Sequence, residues 1–304
     1  MPAVKESLRV GNRVLQVSNL DKIFYPSTGF TKGDVIDYYR TIAPVMVPHL
    51  KERAVTLKRY PDGVEHGFFY EKRCPPHRPG WIKTVVMTRK RDNKDIAYCS
   101  LNDQASLVWA ANLASIELHA SLARGRDVQR PTTVVFDLDP DPDLGVIGAG
   151  RAALWVKEEL DSLGLESYVK TSGSKGVQLY VPLNSAVTYD DTGPFALAVA
   201  RLVQEKRPDD IVTKQSKELR RGRVLIDWSQ NNDHKTTVAV YSLRARERPT
   251  VSTPVTWDEL RRAVRAEDAS KITFLAPDVI KRVEKSGDLF DPVRTKRQKL
   301  PSVG

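Results

Sequence analysis

The most informative pattern along the chain is Thr133-Val134-Val135-Phe136-Asp137-Leu138-Asp139-Pro140-Asp141-Pro142-Asp143, where an apolar β-branched run passes into alternating acids. Residues two apart on a strand share a face, so Asp137 and Asp139 project together while Leu138 turns into the core. Val224-Leu225-Ile226-Asp227-Trp228 repeats the design of an apolar strand closing on an acid. Further strands are predicted at Val14–Val17, Ala54–Arg59, Trp81–Thr88, Ile96–Leu101, Ser167–Lys170, Val177–Val181 and Thr236–Leu243. Trp81–Thr88 and Ile96–Leu101 read as an antiparallel pair around the charged turn Arg89 to Lys94.

Helical spacing runs from the N-cap Thr31 through Val35, Tyr38, Tyr39, Ile42 and Val45 to His49. A second helix capped by Asp103 carries Leu107, Ala110, Ala111, Ala114 and Leu118 and ends near His119. Gly150–Leu163 is amphipathic with Gly164 as its stop, and residues 194–205, Trp257–Val264 and Pro277–Lys285 complete the helices. Residues 1–10 read as a frayed start, and the polar, basic tail from Val293 as mobile. The pattern implies a mixed α/β fold with antiparallel-rich sheets flanked by helices. There is no repeat and no low-complexity linker.

Composition narrows the class. Lys and Arg number 48 against 38 Asp and Glu, a net charge of +10, which favours polyanionic partners, nucleic acid above all. A hydrophobic content of 40% supports a packed core. With only Cys74 and Cys99, no disulfide framework is indicated. The absence of a signal-like h-region and of long apolar runs leads to the expectation of a soluble, intracellular protein with no membrane partner.

Paired carboxylates repel unless a cation lies between them, and Mg²⁺ takes oxygen ligands while keeping positions open for phosphates. Taken alone, the acidic stretch is equally an Asp/Pro turn. Asp227 adds a third carboxylate, and three acids on neighbouring strand ends can hold two divalent ions. Thr171-Ser172-Gly173-Ser174-Lys175-Gly176 offers backbone N–H groups, hydroxyls and one lysine, the parts of a phosphate cradle, although it lacks Walker A spacing and resembles many hairpin connections. Lys22 and Lys32 flank a helix start and suit either a phosphate or plain solvation. Phe68, Phe69 and Tyr70, bracketed by Lys58, Arg59, Lys72 and Arg73, are core or base-stacking residues. Cys74, His77 and Cys99 lack a fourth partner for structural zinc.

Together, Phe136-Asp137-Leu138-Asp139-Pro140, Ser172-Gly173-Ser174-Lys175-Gly176, Ile226-Asp227-Trp228-Ser229-Gln230-Asn231 and Lys235-Thr236-Thr237 with Tyr241-Ser242-Leu243-Arg244 closely resemble the polymerase domain of bacterial DNA ligase D, of the archaeo-eukaryotic primase superfamily. The likeness runs from about Asn19 to Leu289. It implies a single primase-polymerase domain: an N-terminal lobe of about 1–130, a catalytic core of about 131–290 and the tail 293–304. No ligase or phosphoesterase module fits this length, so a stand-alone relative or an excised domain is expected.

The resemblance implies template-directed addition of ribonucleotides, and deoxyribonucleotides, to DNA ends or gaps, with two Mn²⁺ or Mg²⁺ ions. The setting it implies is end-joining repair in the bacterial cytoplasm, at the nucleoid, beside a DNA ligase and the Ku end-binding protein. By position Asp137, Asp139 and Asp227 would hold metal. Ser172, Ser174, Lys175 and Gln178, with His119, Arg220, Arg244 and Lys58, would bind the NTP or dNTP. Lys22, Lys32 and Asn19 would take the 5′-phosphate across a gap, with Arg59, Phe69 and Tyr70 also on DNA.

Two positions depart from the family. Gln178 stands where a histidine is usual, and it can donate a hydrogen bond but cannot carry charge. Tyr70 replaces a usual Phe and keeps the stacking face. The first departure motivates an alternative, a catalytically weak protein of the same fold that binds DNA ends and nucleotide. A nuclease built on the same acids would need no triphosphate cradle.

Overall fold

In the computed structural model, which describes residues 5–89, 93–216 and 218–301, the acidic stretch is the strand Thr133–Pro140. The chain separates into two compact units that interleave along the sequence. The first comprises Met1–Arg126, Thr236–Val251 and Leu275–Gly287, and the second Asp127–Lys235, Ser252–Phe274 and Asp288–Gly304. Both are mixed α/β, with sheets that are largely antiparallel.

The second unit is built on a six-stranded sheet in the order Ile211–Val212, Val224–Asp227, Thr133–Pro140, Val177–Pro182, Tyr168–Thr171, Pro254–Val255. All neighbours are antiparallel except the first pair. Val134, Phe136 and Leu138 are fully buried and join Ala149, Ala153, Val156, Phe195 and Val199 in one core. Those partners come from the helices Gly145–Ser162 and Tyr189–Lys206. The strand's period of two therefore commits its alternate residues, Val135, Asp137 and Asp139, to the opposite face. The first of these helices begins at Gly145, earlier than the apolar pattern suggests. It stops where Gly164 takes φ +70° and Leu165 N–H returns to the Leu160 carbonyl at 2.9 Å.

The tail, expected to be mobile from Val293, is held in place through its described residues. Asp291–Thr295 is helical, and Gln298 Nε2 donates to the Glu166 and Pro182 carbonyls, each at 2.9 Å. A single amide that bridges two backbone carbonyls outweighs the polar composition of the segment.

The first unit carries a sheet in the order Thr237–Val238, Ser115–Ala120, Val55–Arg59, Lys94–Ser100, Lys83–Arg89, with Phe69–Glu71 also paired to Val55–Arg59. Helices Lys32–Leu50, Gln104–Asn112 and Ala276–Ser286 accompany it. Thr31 caps the first of these, accepting from Asp34 N–H while the Asp34 carboxylate accepts from Thr31 N–H.

Several expectations are corrected here. The helix capped by Asp103 ends at Asn112, and His119 lies on the strand Ser115–Ala120, because Ala114 at φ +61° breaks the helix and Ile116 and Leu118 then alternate into the core. The strand expected over Thr236–Leu243 is only Thr237–Val238, since Tyr241 takes φ +65° and turns the chain. Lys5–Val10 is not frayed but pairs with Arg13–Ser18 across a turn at Gly11. Residues 1–4, and residues 90–92 of the expected charged turn, lie outside the described residues. Cys74 and Cys99 form a disulfide that their number alone did not indicate; Cys74 N–H donates to the Ala97 carbonyl at 2.7 Å, which sets the loop beside the strand bearing Cys99.

Candidate active site

Across the second unit's sheet, four side chains fall in one row. Asp137 is in register with Asp227 on one side and with Gln178 on the other, and Gln178 is in register with Lys170. Directly opposed residues share a face, so the row reads Asp227, Asp137, Gln178, Lys170. Asp139 follows Asp137 on that face, two residues on. The sheet's pairing, not the chain order, assembles this set from residues far apart in sequence.

Each carboxylate in the row is engaged. Gln178 hydrogen-bonds to Asp137. Asp227 accepts from Ser229 N–H at 3.0 Å, from the Ser229 hydroxyl at 2.5 Å and from Gln230 Nε2 at 2.9 Å. Asp139 is ion-paired with Arg220. Burial pushes the Asp137 carboxyl up to about 6; the Gln178 hydrogen bond opposes the rise and the Asp227 charge adds to it. Asn231 braces the row from behind: its Oδ1 accepts from Val135 N–H at 2.9 Å and its Nδ2 donates to the Val135 carbonyl at 2.7 Å.

The residues fit a divalent cation by chemistry. They are acceptor-only oxygens, and one is a half-buried carboxyl that desolvation and a like charge discourage from ionising, a cost that a cation would relieve. Among the described residues no three His, Cys, Asp or Glu side chains stand together closely enough to hold a metal ion.

The loop Thr171–Gly176 joins the two strands that carry Lys170 and Gln178. Ser172 is buried, and its hydroxyl accepts from Ser174 N–H at 3.2 Å and Gly176 N–H at 3.1 Å, so it shapes the loop from inside. Lys175 is exposed at the loop's tip. Gly176 passes so close to the acidic strand that a Cβ there would lie 2.6 Å from the Leu138 carbonyl oxygen. The loop and the acids are thus packed against one another by a glycine.

A second cluster, in the first unit, centres on Glu117. Its side chain is almost fully buried and meets Lys58 Nζ at 3.3 Å, the Tyr60 hydroxyl at 3.3 Å, His119 Nε2 at 3.0 Å and Arg244 Nε at 3.3 Å. Burial works to raise the Glu117 pKa, yet the His119 hydrogen bond and the Arg244 and Lys58 charges hold it far below the carboxylate range. Burial lowers the His119 pKa against the pull of Glu117, so the imidazole is favoured neutral. Four of the expected nucleotide-binding and DNA-binding residues (Lys58, His119, Arg244 and Tyr70) meet here, since Lys58 Nζ lies 5.5 Å from the Tyr70 ring centroid and that ring is edge-on to His119.

Phe68, Phe69 and Tyr70 are 50%, 45% and 55% exposed, which settles core against surface in favour of surface. Lys58 lies 4.2 Å from the Phe68 ring centroid and Arg59 5.1 Å from that of Phe69, giving cation-lined aromatic faces. Beyond them, Lys22 pairs with Asp62 at 2.6 Å and Lys32 Nζ donates to the Ser18 carbonyl at 2.7 Å. Asn19 takes φ +56°, and its carbonyl accepts from Lys22 N–H. Burial, with the nearby charges of Lys22 and Arg59, lowers the Lys32 pKa to about 8. The helix N-terminus here is filled by Asp34, so an anion would meet the lysine side chains rather than a bare helix end. Sequence reasoning missed Lys170, Glu117 and Asn231.

Residues 31–290 match the family described as LigD, primase-polymerase domain. The multifunctional non-homologous end joining protein LigD of Mycolicibacterium smegmatis is 40% identical over 281 residues, covering 92% of this chain and 36% of that protein. The bifunctional non-homologous end joining protein LigD of Bacillus subtilis is 32% identical over 277 residues, covering 91% of this chain and 43% of its own length. This chain therefore spans less than half of either relative. The polymerase domain of Mycobacterium tuberculosis ligase D, solved in complex with DNA, has a TM-score of 0.85 at 34% identity and covers 93% of this chain and 99% of that one. Matched in sequence over most of its length and in fold over nearly all of it, this chain belongs to the LigD primase-polymerase domain family, of nucleotidyltransferase-type polymerases.

Proposed function

We propose that this domain extends DNA primer ends, or fills gaps bearing a 5′-phosphate, by template-dependent addition of ribonucleotides and deoxyribonucleotides during end-joining repair. The observation that carries the proposal is the row of Asp227 and Asp137 beside the Gly/Ser loop, with Asp139 on the same face. DNA bound to the similar Mycobacterium tuberculosis domain supports the substrate class.

Asp137, Asp139 and Asp227 would hold two Mn²⁺ or Mg²⁺ ions. Such ions lower the pKa of an attacking hydroxyl and neutralise a departing pyrophosphate. The chain's own contribution is placement and charge. Ser174 and Lys175 present a hydroxyl and an ammonium to the triphosphate, on a loop that Ser172 shapes from inside. Arg220 would leave Asp139 for the phosphates as the acids close. Burial keeps His119 neutral against the pull of Glu117, which binds Nε2 and leaves Nδ1 to meet a sugar hydroxyl. Phe69 and Tyr70 stack on bases, and Lys22 and Lys32 take the 5′-phosphate. A DNA ligase and Ku are the partners this activity calls for.

The deciding experiment is incorporation of rNTP against dNTP on a gapped duplex, with and without the 5′-phosphate, in Mg²⁺ and in Mn²⁺. Extension that is stimulated by the 5′-phosphate and lost in Asp137→Ala is expected. The engaged state of all three acids favours one other reading, a weakly catalytic end-binding protein. A gel shift that responds to the 5′-phosphate without incorporation under Mn²⁺ would favour it.

A further inference from the structure

We propose that Lys170 is a positioning residue that acts through Gln178 on Asp137, fixing which end of the Gln178 amide meets the carboxylate. The inference deepens the proposed function and rests on its reading of Asp137 as a metal ligand.

Lys170 is fully buried, and its Nζ donates to Gln178 Oε1 at 2.6 Å and to Ser252 Oγ at 2.6 Å. Ser252 Oγ in turn donates to the Thr171 carbonyl at 3.1 Å. An ammonium has donors and no acceptor, whereas an amide has one of each end. With Lys170 on one side, Gln178 must present its oxygen to it and has only its NH₂ left for Asp137. The Tyr180 hydroxyl, 3.5 Å from the same Oε1, reinforces that choice. Hydrogen bonds thus run in one sense along the row: Lys170 gives to Gln178, and Gln178 gives to Asp137.

Without the ammonium the amide has no such instruction. Its oxygen turned toward Asp137 would set lone pairs against a carboxylate and drive that side chain off the face it shares with Asp227 and Asp139. Groups that orient a metal's ligands without touching the metal typically change its affinity 10- to 100-fold when removed. Gln178 is a member of this kind, itself only 2% exposed, and Lys170 stands one step behind it. A buried cation near three acids would, by Coulomb's law alone, repel a divalent ion. At a pH where Asp137 is ionised with and without the ammonium, positioning and simple charge therefore predict opposite signs for its removal.

The test is a titration of the whole 304-residue chain with Mn²⁺ alone, reading free Mn²⁺ by electron paramagnetic resonance, with thermal melts as the check on folding. Lys170→Met and Gln178→Leu are each expected to weaken Mn²⁺ binding about tenfold, and the double variant to be no weaker than Gln178→Leu. Tighter or unchanged binding in Lys170→Met overturns the proposal, as do losses that multiply in the double variant. If Lys170→Met does not fold, Lys170→Gln, which supplies a donor but also an acceptor, carries the same comparison. Asp137→Asn separates the two levels: wild-type Mn²⁺ binding there removes the underlying reading. Loss of binding there, with the Lys170 and Gln178 variants unaffected, removes only this inference.

Discussion

Asp137 and Asp227 stand directly opposite each other across the antiparallel pair of Thr133–Pro140 and Val224–Asp227, on the face away from the core. Two acids so placed cost the protein stability, because burial and mutual repulsion both disfavour the charged Asp137. A fold that only had to be stable would not keep them together.

Asp137→Asn and Asp227→Asn should therefore abolish primer extension while leaving the metal-free protein at least as stable as wild type, with a gain on the order of 1 kcal/mol. Mn²⁺ should raise the melting temperature of the wild type and not of either variant. Calorimetry with and without Mn²⁺ reads both effects, and a variant that unfolds at markedly lower temperature without metal would contradict the argument.

Glu117 is the reverse case, an acid whose removal unbalances its neighbours. Lys58 and Arg244 are 13% and 12% exposed, and both lean on its carboxylate. Glu117→Gln should cost about 3–5 kcal/mol in urea unfolding, the penalty for leaving buried charge unmatched. Because the folded-state pKa is depressed, this contribution is present above the unfolded value and is lost as pH falls through and below it. The wild-type advantage should shrink in acid, and an advantage constant from pH 7 to pH 3 would refute the charge argument.

How much of this was legible in the sequence depends on how far apart the interacting residues lie. The acidic strand, its inward-turned Leu138 and the loop Thr171–Gly176 follow from local alternation and turn chemistry, and they stand in the structure as strand, core and connection. Lys170 looked like the polar end of a strand; only pairing across the sheet makes it the neighbour of Gln178. Glu117 was hidden because residues 113–119 were read as helix, which scatters Glu117 and His119. Strand pairing with Val55–Arg59 instead puts them on one face, two residues apart. A positive φ at Ala114 carries no mark in composition. The disulfide likewise depends on a long-range approach that two isolated cysteines do not announce.

Gly176 offers a backbone test of the loop's placement. A methyl at this position would meet the Leu138 carbonyl oxygen at 2.6 Å, and a carbonyl in a central strand cannot swing aside. Gly176→Ala should push the loop off the acidic strand, costing about 1–3 kcal/mol as overpacking does. Nucleotide KM should rise because the cradle moves relative to the acids, while affinity for a DNA gap without nucleotide stays unchanged. Unaltered KM would mean that the loop does not hold the triphosphate.

Lys32 gives the binding of a 5′-phosphate its own pH signature. Its side chain is buried, and its pKa is lowered to about 8, first by burial and then by Lys22 and Arg59. In the unfolded chain the lysine keeps its ordinary value, so between these two values the unfolded state holds more protons and this group's contribution to stability rises with pH. Phosphate binding runs the other way. A phosphate is fully charged above pH 7, so from there upward only the lysine changes, and the free protein loses the positive charge that the anion needs. The preference for a 5′-phosphorylated gap over an unphosphorylated one should fall as pH rises through about 8, and should be small and flat with pH in Lys32→Met. Fluorescence anisotropy on the two DNAs from pH 7 to pH 9.5 measures it, and a preference that holds steady across that range in the wild type would place the phosphate elsewhere.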